Sequence, residues 1–178
     1  DPTNPEILNN LANILVDENE YTKALEYFNI ALKSSKDPAK IYNNIGNLYL
    51  QKNFLEESIT YFKKGIQLNP KSHEIYNNLG NAYLKNKKIE LSIISLKKAI
   101  DLHKDYPDAY NNLGLTYLEE RKFDAAIKYF KKAISLNSNF PQALTNLGIA
   151  YQDKNHISLA LSSYEKAIHL KPNYVEAY

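Results

Sequence analysis

The 178-residue chain has no cysteine, no methionine and no tryptophan. Without cysteine, disulfides, thiolate metal sites and cysteine nucleophiles are excluded. Methionine is missing even at residue 1, which leads us to expect a chain taken from within a longer one. Arginine occurs once, as Arg121. Glycine and proline are scarce, at five and seven residues, so neither low complexity nor disorder fits a composition that is 44% hydrophobic. The longest apolar runs span a few residues, too short for a transmembrane helix. No charged-then-apolar opening looks like a signal peptide, and the cytoplasm is the default expectation. The net charge of +2 is too balanced to point to nucleic acid.

What is present is periodic. Four of the five glycines, Gly46, Gly80, Gly114 and Gly148, stand 34 residues apart, and Ala12 stands 34 before the first. The phrase before each is nearly constant: Asn-Asn-Leu-Ala at Ala12, Asn-Asn-Ile-Gly at Gly46, Asn-Asn-Leu-Gly at Gly80 and Gly114, Thr-Asn-Leu-Gly at Gly148. Such a period marks a repeat architecture. It divides the chain into units 5–38, 39–72, 73–106, 107–140 and 141–174, a single array. Residues 1–4 resemble the tail of a preceding unit and 175–178 the head of a following one.

Within a unit the apolar spacing is helical. Leu8, Leu11, Ala12 and Leu15 follow i, i+3, i+4, i+7, and Ala24, Leu25, Phe28, Ala31 and Leu32 repeat the pattern. Two helices of about 12–14 residues fit each unit. Pro5, Pro107 and Pro141 suit a first helical turn. The first helix is expected to close near Asn19, Asn53, Lys87, Arg121 and Asn155. Thr22, Asp124 and Ser158 are candidate N-caps of the second helix, with Glu56 and Glu90 as weaker ones. The small columns Ala12/Gly46/Gly80/Gly114/Gly148 and Ala31/Gly65/Ala99/Ala133/Ala167 let backbones approach closely. The aromatic columns around Tyr49 and Phe62 fill between them. A hairpin this short cannot bury its own face, so neighbours must stack.

The set Tyr110, Leu113, Gly114, Tyr117, Ala126, Phe130 and Ala133, recurring every 34 residues over the whole chain, resembles the tetratricopeptide repeat. Ser58 and Ser92 depart from its alanine, Leu96 from its aromatic, and tyrosine or leucine stands for the usual tryptophan. The resemblance implies an all-α, right-handed superhelical solenoid of helix-turn-helix units whose first helices line a concave groove.

A second stripe on the first helix forms columns down the array. Asn10, Asn44, Asn78, Asn112 and Asn146 are unbroken; Asn9, Asn43, Asn77 and Asn111 end in Thr145; Asn13, Asn47 and Asn81 give way to Leu115 and Ile149. Beside them run Val16, Leu50, Leu84 and Leu118, ending in Gln152. An asparagine amide both donates and accepts, so it can pair with any extended backbone. Helices about 10 Å apart, against about 3.3 Å per extended residue, give one rung per three residues. Each pairing adds about 0.5–1.5 kcal/mol. This asparagine ladder resembles the peptide-binding superhelix of O-linked N-acetylglucosamine transferases and that of kinesin light chains. That likeness implies that Asn10, Asn44, Asn78, Asn112 and Asn146 clasp a ligand backbone. The alternative is that the asparagines bond between adjacent helices.

Charge and the remaining polar residues refine the expectation. Glu6, Lys40, Glu74, Asp108 and Gln142 sum to −2, as do Asp17, Gln51, Lys85, Glu119 and Asp153. An acidic groove favours a neutral or basic segment. The isolated lysines Lys40 and Lys85 do not make the clamp with which one subfamily holds chaperone carboxylates. The pairs Lys63-Lys64, Lys97-Lys98 and Lys131-Lys132 read as solvated positions near helix C-termini rather than a phosphate-binding stripe. The tyrosine columns of Tyr42 and Tyr49 read as core, and Tyr27, Tyr61 and Tyr129 as more exposed. The histidines His73, His103, His156 and His169 lack metal-ligand spacing. No phosphate loop or catalytic constellation stands out, so no enzyme activity, cofactor or metal is expected. The reading is a scaffold for a protein or peptide partner, with no nucleic acid or membrane. Rival readings are a targeting arm of a larger enzyme, such as a glycosyltransferase, and end-to-end self-association through Leu8, Leu11 and Tyr178-type surfaces.

Overall fold

The computed structural model describes residues 4–171, and these are helix and turn with no strand. The expected tail 1–4 is therefore described only at Asn4, and the expected head 175–178, with Tyr178, lies outside the described residues. Ten helices follow in order: α1 (Pro5–Asp17), α2 (Tyr21–Leu32), α3 (Pro38–Gln51), α4 (Leu55–Leu68), α5 (His73–Lys85), α6 (Ile89–Leu102), α7 (Pro107–Glu119), α8 (Phe123–Leu136), α9 (Pro141–Asp153) and α10 (Ile157–Leu170). The fold is all-α, built from helix-turn-helix elements. It divides into two compact units, Asp1–Lys87 with α1–α5 and Lys88–Tyr178 with α6–α10.

Helix starts and stops follow local chemistry. Proline stands at the start of α1, α3, α7 and α9, where its missing N–H costs nothing. Asn4, Asp37 and Ser72 cap α1, α3 and α5 with side-chain oxygens. The first helices close where expected: Asn19, Asn53, Lys87, Arg121 and Asn155 all have positive φ, between 57° and 64°. After α1 the Asn19 N–H donates to the Val16 carbonyl and the Glu20 N–H to that of Leu15. The same pair of bonds recurs at residues 53–54 and 121–122. This is the Schellman closure.

That closure corrects the expected N-caps. The residue that completes the turn (Glu20, Phe54, Lys122 or His156) is also the residue that opens the next helix, and none caps it with a side chain. Thr22, Glu56, Glu90, Asp124 and Ser158 lie inside the first turn, one residue past the helix start.

In the first unit α1 packs on α2, α2 on α3, α3 on α4 and α4 on α5, while α1 also touches α3 and α3 touches α5. The core centres on Phe28 and Phe62, both fully buried, with Ile41, Ile45 and Leu79. Burying each such ring contributes about 2–3 kcal/mol. The glycine column explains itself at Gly46: a Cβ there would lie 2.6 Å from Phe62 Cδ1. The departure Ser58 is accommodated because its buried hydroxyl donates to the Gly46 carbonyl at 2.9 Å.

In the second unit α6 through α10 pack in the same succession, and α7 also touches α9. Phe130 fills the space against Gly114, and Tyr164 that against Gly148. The departure Ser92 is again buried and bonded, 3.0 Å from the Thr116 hydroxyl.

Candidate functional site

Consecutive helical residues point about 100° apart, so the two asparagines of each Asn-Asn pair part company. Asn9 turns inward and is only 4% exposed, whereas Asn10 is exposed. The structure then joins the two columns across repeats. Asn44 donates from Nδ2 to Asn9 Oδ1 at 2.8 Å, and Asn78 to Asn43 Oδ1 at 3.0 Å. In the second unit Asn146 donates to Asn111 Oδ1 at 2.9 Å. Each rung is an amide–amide bond between the first helices of adjacent repeats, which fixes the orientation of both side chains. Asn77 adds a longer contact, 3.4 Å from its Nδ2 to Asn78 Oδ1. The side-chain carbonyls of Asn44 and Asn146 accept no hydrogen bond from the described residues.

The other residues of the stripe divide by burial. Asn77, Asn111 and Thr145 are buried, and Asn43, Asn44, Asn78, Asn112 and Asn146 half-buried. Asn47 and Ile149 are exposed, and Asn13, Asn81 and Leu115 half-buried. In the neighbouring column Leu50 is buried within the core beside Ile59 and Leu79. Val16, Leu84 and Leu118 are half-buried, and Gln152 is exposed. Glu6, Lys40, Glu74, Asp108 and Gln142 are all exposed, as are Asp17, Gln51, Lys85, Glu119 and Asp153.

Two cavities in the first unit sit on this stripe. One, of about 530 Å³, is lined by Asn4, Glu6, Asn9, Asn10, Lys36, Asp37 and Lys40, together with Ser34 and Ser35. The other, of about 410 Å³, is lined by Asp37, Lys40, Asn43, Asn44, Asn69, Ser72 and Glu74. The second is the first displaced by one repeat: Asn9/Asn10 become Asn43/Asn44, Glu6 becomes Lys40, and Lys40 becomes Glu74. Two polar recesses one repeat apart, each lined by an asparagine pair, suit a ligand that is itself a regular chain.

The α2–α3 link, residues 33–37, contributes to the larger cavity, and the periodic reading passed over it. Its signal was a departure from the repeat. Ser34 stands where Leu68, Leu102, Leu136 and Leu170 end the other second helices, and Pro38 starts α3 early. Accordingly α2 has 12 residues against 14 for α4, α6, α8 and α10.

The tyrosines form a separate set. Tyr61 and Tyr129, expected to be more exposed, are half-buried and stacked. Tyr61 lies 5.3 Å from Tyr49, and Tyr129 5.3 Å from Tyr117, with nearly parallel rings. Tyr27 packs against the core of the first unit. In the Tyr42 and Tyr49 columns, Tyr83 and Tyr151 are buried, and Tyr42, Tyr49, Tyr76, Tyr110 and Tyr117 half-buried. Burial pushes the Tyr49 hydroxyl above its ordinary 10.0, and neighbouring Tyr61 and Glu57 add to the effect. Burial raises Tyr129 too, with Tyr117 and Tyr110 adding. The lysine pairs are exposed as expected but not idle: Lys64 lies 4.7 Å from the Tyr61 ring centre, and Lys131 5.6 Å from that of Tyr151. Among the described residues no group of three or more His, Cys, Asp or Glu could hold a metal ion. No described helix is long and apolar enough to cross a membrane.

Sequence comparison agrees with the helix pairs. The chain matches the tetratricopeptide repeat at residues 5–38, 107–140 and 141–174, and the TPR repeat at 46–87 and 81–121. The chain belongs to the tetratricopeptide repeat family. No curated protein sequence matches it. Among solved structures it is similar to MamA, at 26% identity and a TM-score of 0.74, covering 96% of this chain and 95% of that one. It is also similar to YrrB, a TPR protein with an unusual peptide-binding site, at 26% identity and TM-score 0.68, covering 96% and 88%. TTC0263, a thermophilic TPR protein in Thermus thermophilus, shares the fold at 21% identity and TM-score 0.84, covering 97% and 94%.

Proposed function

We propose that this tetratricopeptide repeat chain is a protein-interaction scaffold that holds an extended peptide segment along the asparagine stripe of its first helices. The observation that carries the reading is the pair of recesses one repeat apart, each lined by an asparagine pair. Because the inter-repeat bond engages the Asn44 Nδ2, its side-chain carbonyl is left over as an acceptor for a backbone N–H. Exposed Asn10 offers both groups. The bonds between repeats and ligand contact are therefore compatible: the first orients the amides, the second uses what the first leaves over. The likeness to YrrB supports a peptide as the ligand class. The chain does no chemistry in this reading. It serves as a free-standing adaptor or as the recruiting arm of a larger enzyme.

The test is a screen of the chain against an array of extended peptides, repeated with Asn10→Ala. Asn10 makes no hydrogen bond among the described residues, so its loss leaves the fold's own bonds intact. Weaker capture by the variant at unchanged helicity is the expected result. Equal capture by both proteins would remove the stripe from recognition.

A further inference from the structure

Among the charged residues lining the two recesses, those carried by the first helices alternate in sign, while Lys36 and Asp37 belong to the α2–α3 link. At one repeat position stand Glu6 in α1, Lys40 in α3 and Glu74 in α5, all exposed. Glu6 and Lys40 share the larger cavity, and Lys40 and Glu74 the smaller. None of the three forms an ion pair with another described residue. The two glutamates have a local reason to be there, since an acidic side chain in the first turn of a helix is favoured by the helix dipole. Lys40 has the opposite relation: a cation in the first turn of α3 works against that dipole. The carboxylate between the recesses, Asp37, is committed to the α3 N-terminus, where it accepts the Lys40 N–H at 3.3 Å. Lys40 therefore stands in a position that helix stability does not reward, and it faces the same space as the asparagines.

Resting on the peptide-groove reading above, we infer that this unit selects an extended segment with an acidic residue flanked by basic residues three positions away on each side. The spacing follows from geometry. Packed helices lie about 8–10 Å apart, and a segment in the extended polyproline-II conformation advances about 3.1 Å per residue with three residues per turn, so every third side chain faces the groove and successive first helices address it. The charge order minus, plus, minus on the protein calls for plus, minus, plus on the ligand. The motif Lys-x-x-Glu-x-x-Lys reads the same in both directions, so selection does not depend on which way the segment runs. The whole-stripe charge of −2 concealed this order, because a sum discards sequence.

The experiment measures fluorescence anisotropy of labelled peptides with Gly/Ser spacers, in low salt. One carries Lys-x-x-Glu-x-x-Lys, one the reversed Glu-x-x-Lys-x-x-Glu, and one the compressed Lys-x-Glu-x-Lys. Expected is about tenfold tighter binding of the first than of the other two, a difference of about 1.4 kcal/mol. Added salt should shrink that margin. Lys40→Glu should move the preference to Lys-x-x-Lys-x-x-Lys. Glu74→Lys, at another exposed site, should weaken the first peptide independently, and circular dichroism checks both folds. Equal binding of all three peptides, all weakened by Asn10→Ala, overturns the charge order while the groove reading stands. Absence of binding, or binding indifferent to Asn10→Ala, overturns both.

Discussion

The side-chain amides of Asn44 and Asn9 share a 2.8 Å hydrogen bond across two helices, although 35 positions separate them in the chain. Asn9 is buried, so removing its donor leaves an amide oxygen without a partner, at a cost of about 1–3 kcal/mol. Asn44→Ala is expected to destabilise the chain by that order. Asn9→Ala should cost a similar amount, and the double variant less than the sum, with a coupling of about 0.5–1.5 kcal/mol. Urea unfolding of the four proteins measures the cycle. Strict additivity would show that the bond contributes nothing in solution.

The glycine column gives a second prediction, in which two effects of opposite sign compete. Alanine in a helix interior is favoured over glycine by about 1 kcal/mol. At Gly114 the new Cβ would lie 2.6 Å from Phe130 Cε1, and overpacking of this kind costs about 1–3 kcal/mol. Gly114→Ala should therefore destabilise, and adding Phe130→Leu should recover part of the loss by vacating the ring edge. At Ala12 the methyl is already accommodated beside fully buried Phe28. Ala12→Gly should thus destabilise by about 2 kcal/mol, about 1 from helix propensity and about 0.8 from the buried methyl that is lost. Thermal unfolding distinguishes the cases: a rise in Tm for Gly114→Ala would mean that the ring yields more easily than its packing implies.

These particulars show what the sequence carried. A 34-residue period with small and aromatic columns dictates helix pairs, because helical spacing is what puts Phe28 beside Ala24 and Ala31, and Phe130 beside Ala126 and Ala133. The helix ends at Asn19 and Asn155 were equally visible, since asparagine tolerates positive φ. The start of the second helices was not: Thr22, Asp124 and Ser158 have the right chemistry, but the Schellman turn fixes the opening residue two positions earlier. Tyr61 and Tyr129 were misjudged because a half-buried, stacked tyrosine has no distinctive spacing. In the stripe, the identity of the asparagines was plain from the columns. Their division of labour was not, because it depends on which amide meets the neighbouring helix.

Arg121 occupies the left-handed position after α7 with φ of 58°. That conformation costs a residue with a Cβ about 1–2 kcal/mol. Glycine avoids this but gives up about 0.4–1 kcal/mol through the freedom of the unfolded chain. Arg121 also lies 5.6 Å from the Phe123 ring, an exposed contact of small worth. Arg121→Gly should therefore stabilise by up to about 1 kcal/mol, raising Tm by a few degrees. Arg121→Val, with a branched side chain at the same φ, should lower it.

The stacked tyrosines make stability depend on alkaline pH. Burial holds Tyr49 and Tyr129 above their ordinary 10.0, so the folded chain keeps their protons more tightly than the unfolded chain does. The resulting stabilisation is complete below about pH 10. It declines as pH rises through the folded pKa, because the unfolded chain releases protons first. Urea midpoints should thus hold steady from neutral pH to about pH 9 and fall above about pH 10. Lysines lose charge in the same range, so the phenol contribution is isolated by the Tyr49→Phe, Tyr129→Phe double variant, whose decline should be shallower. Ultraviolet titration of the folded wild type should show part of its phenolate signal appearing later than in urea. If folded and unfolded chains titrate together, the rings at 5.3 Å spacing are not held in the stacks that bury them.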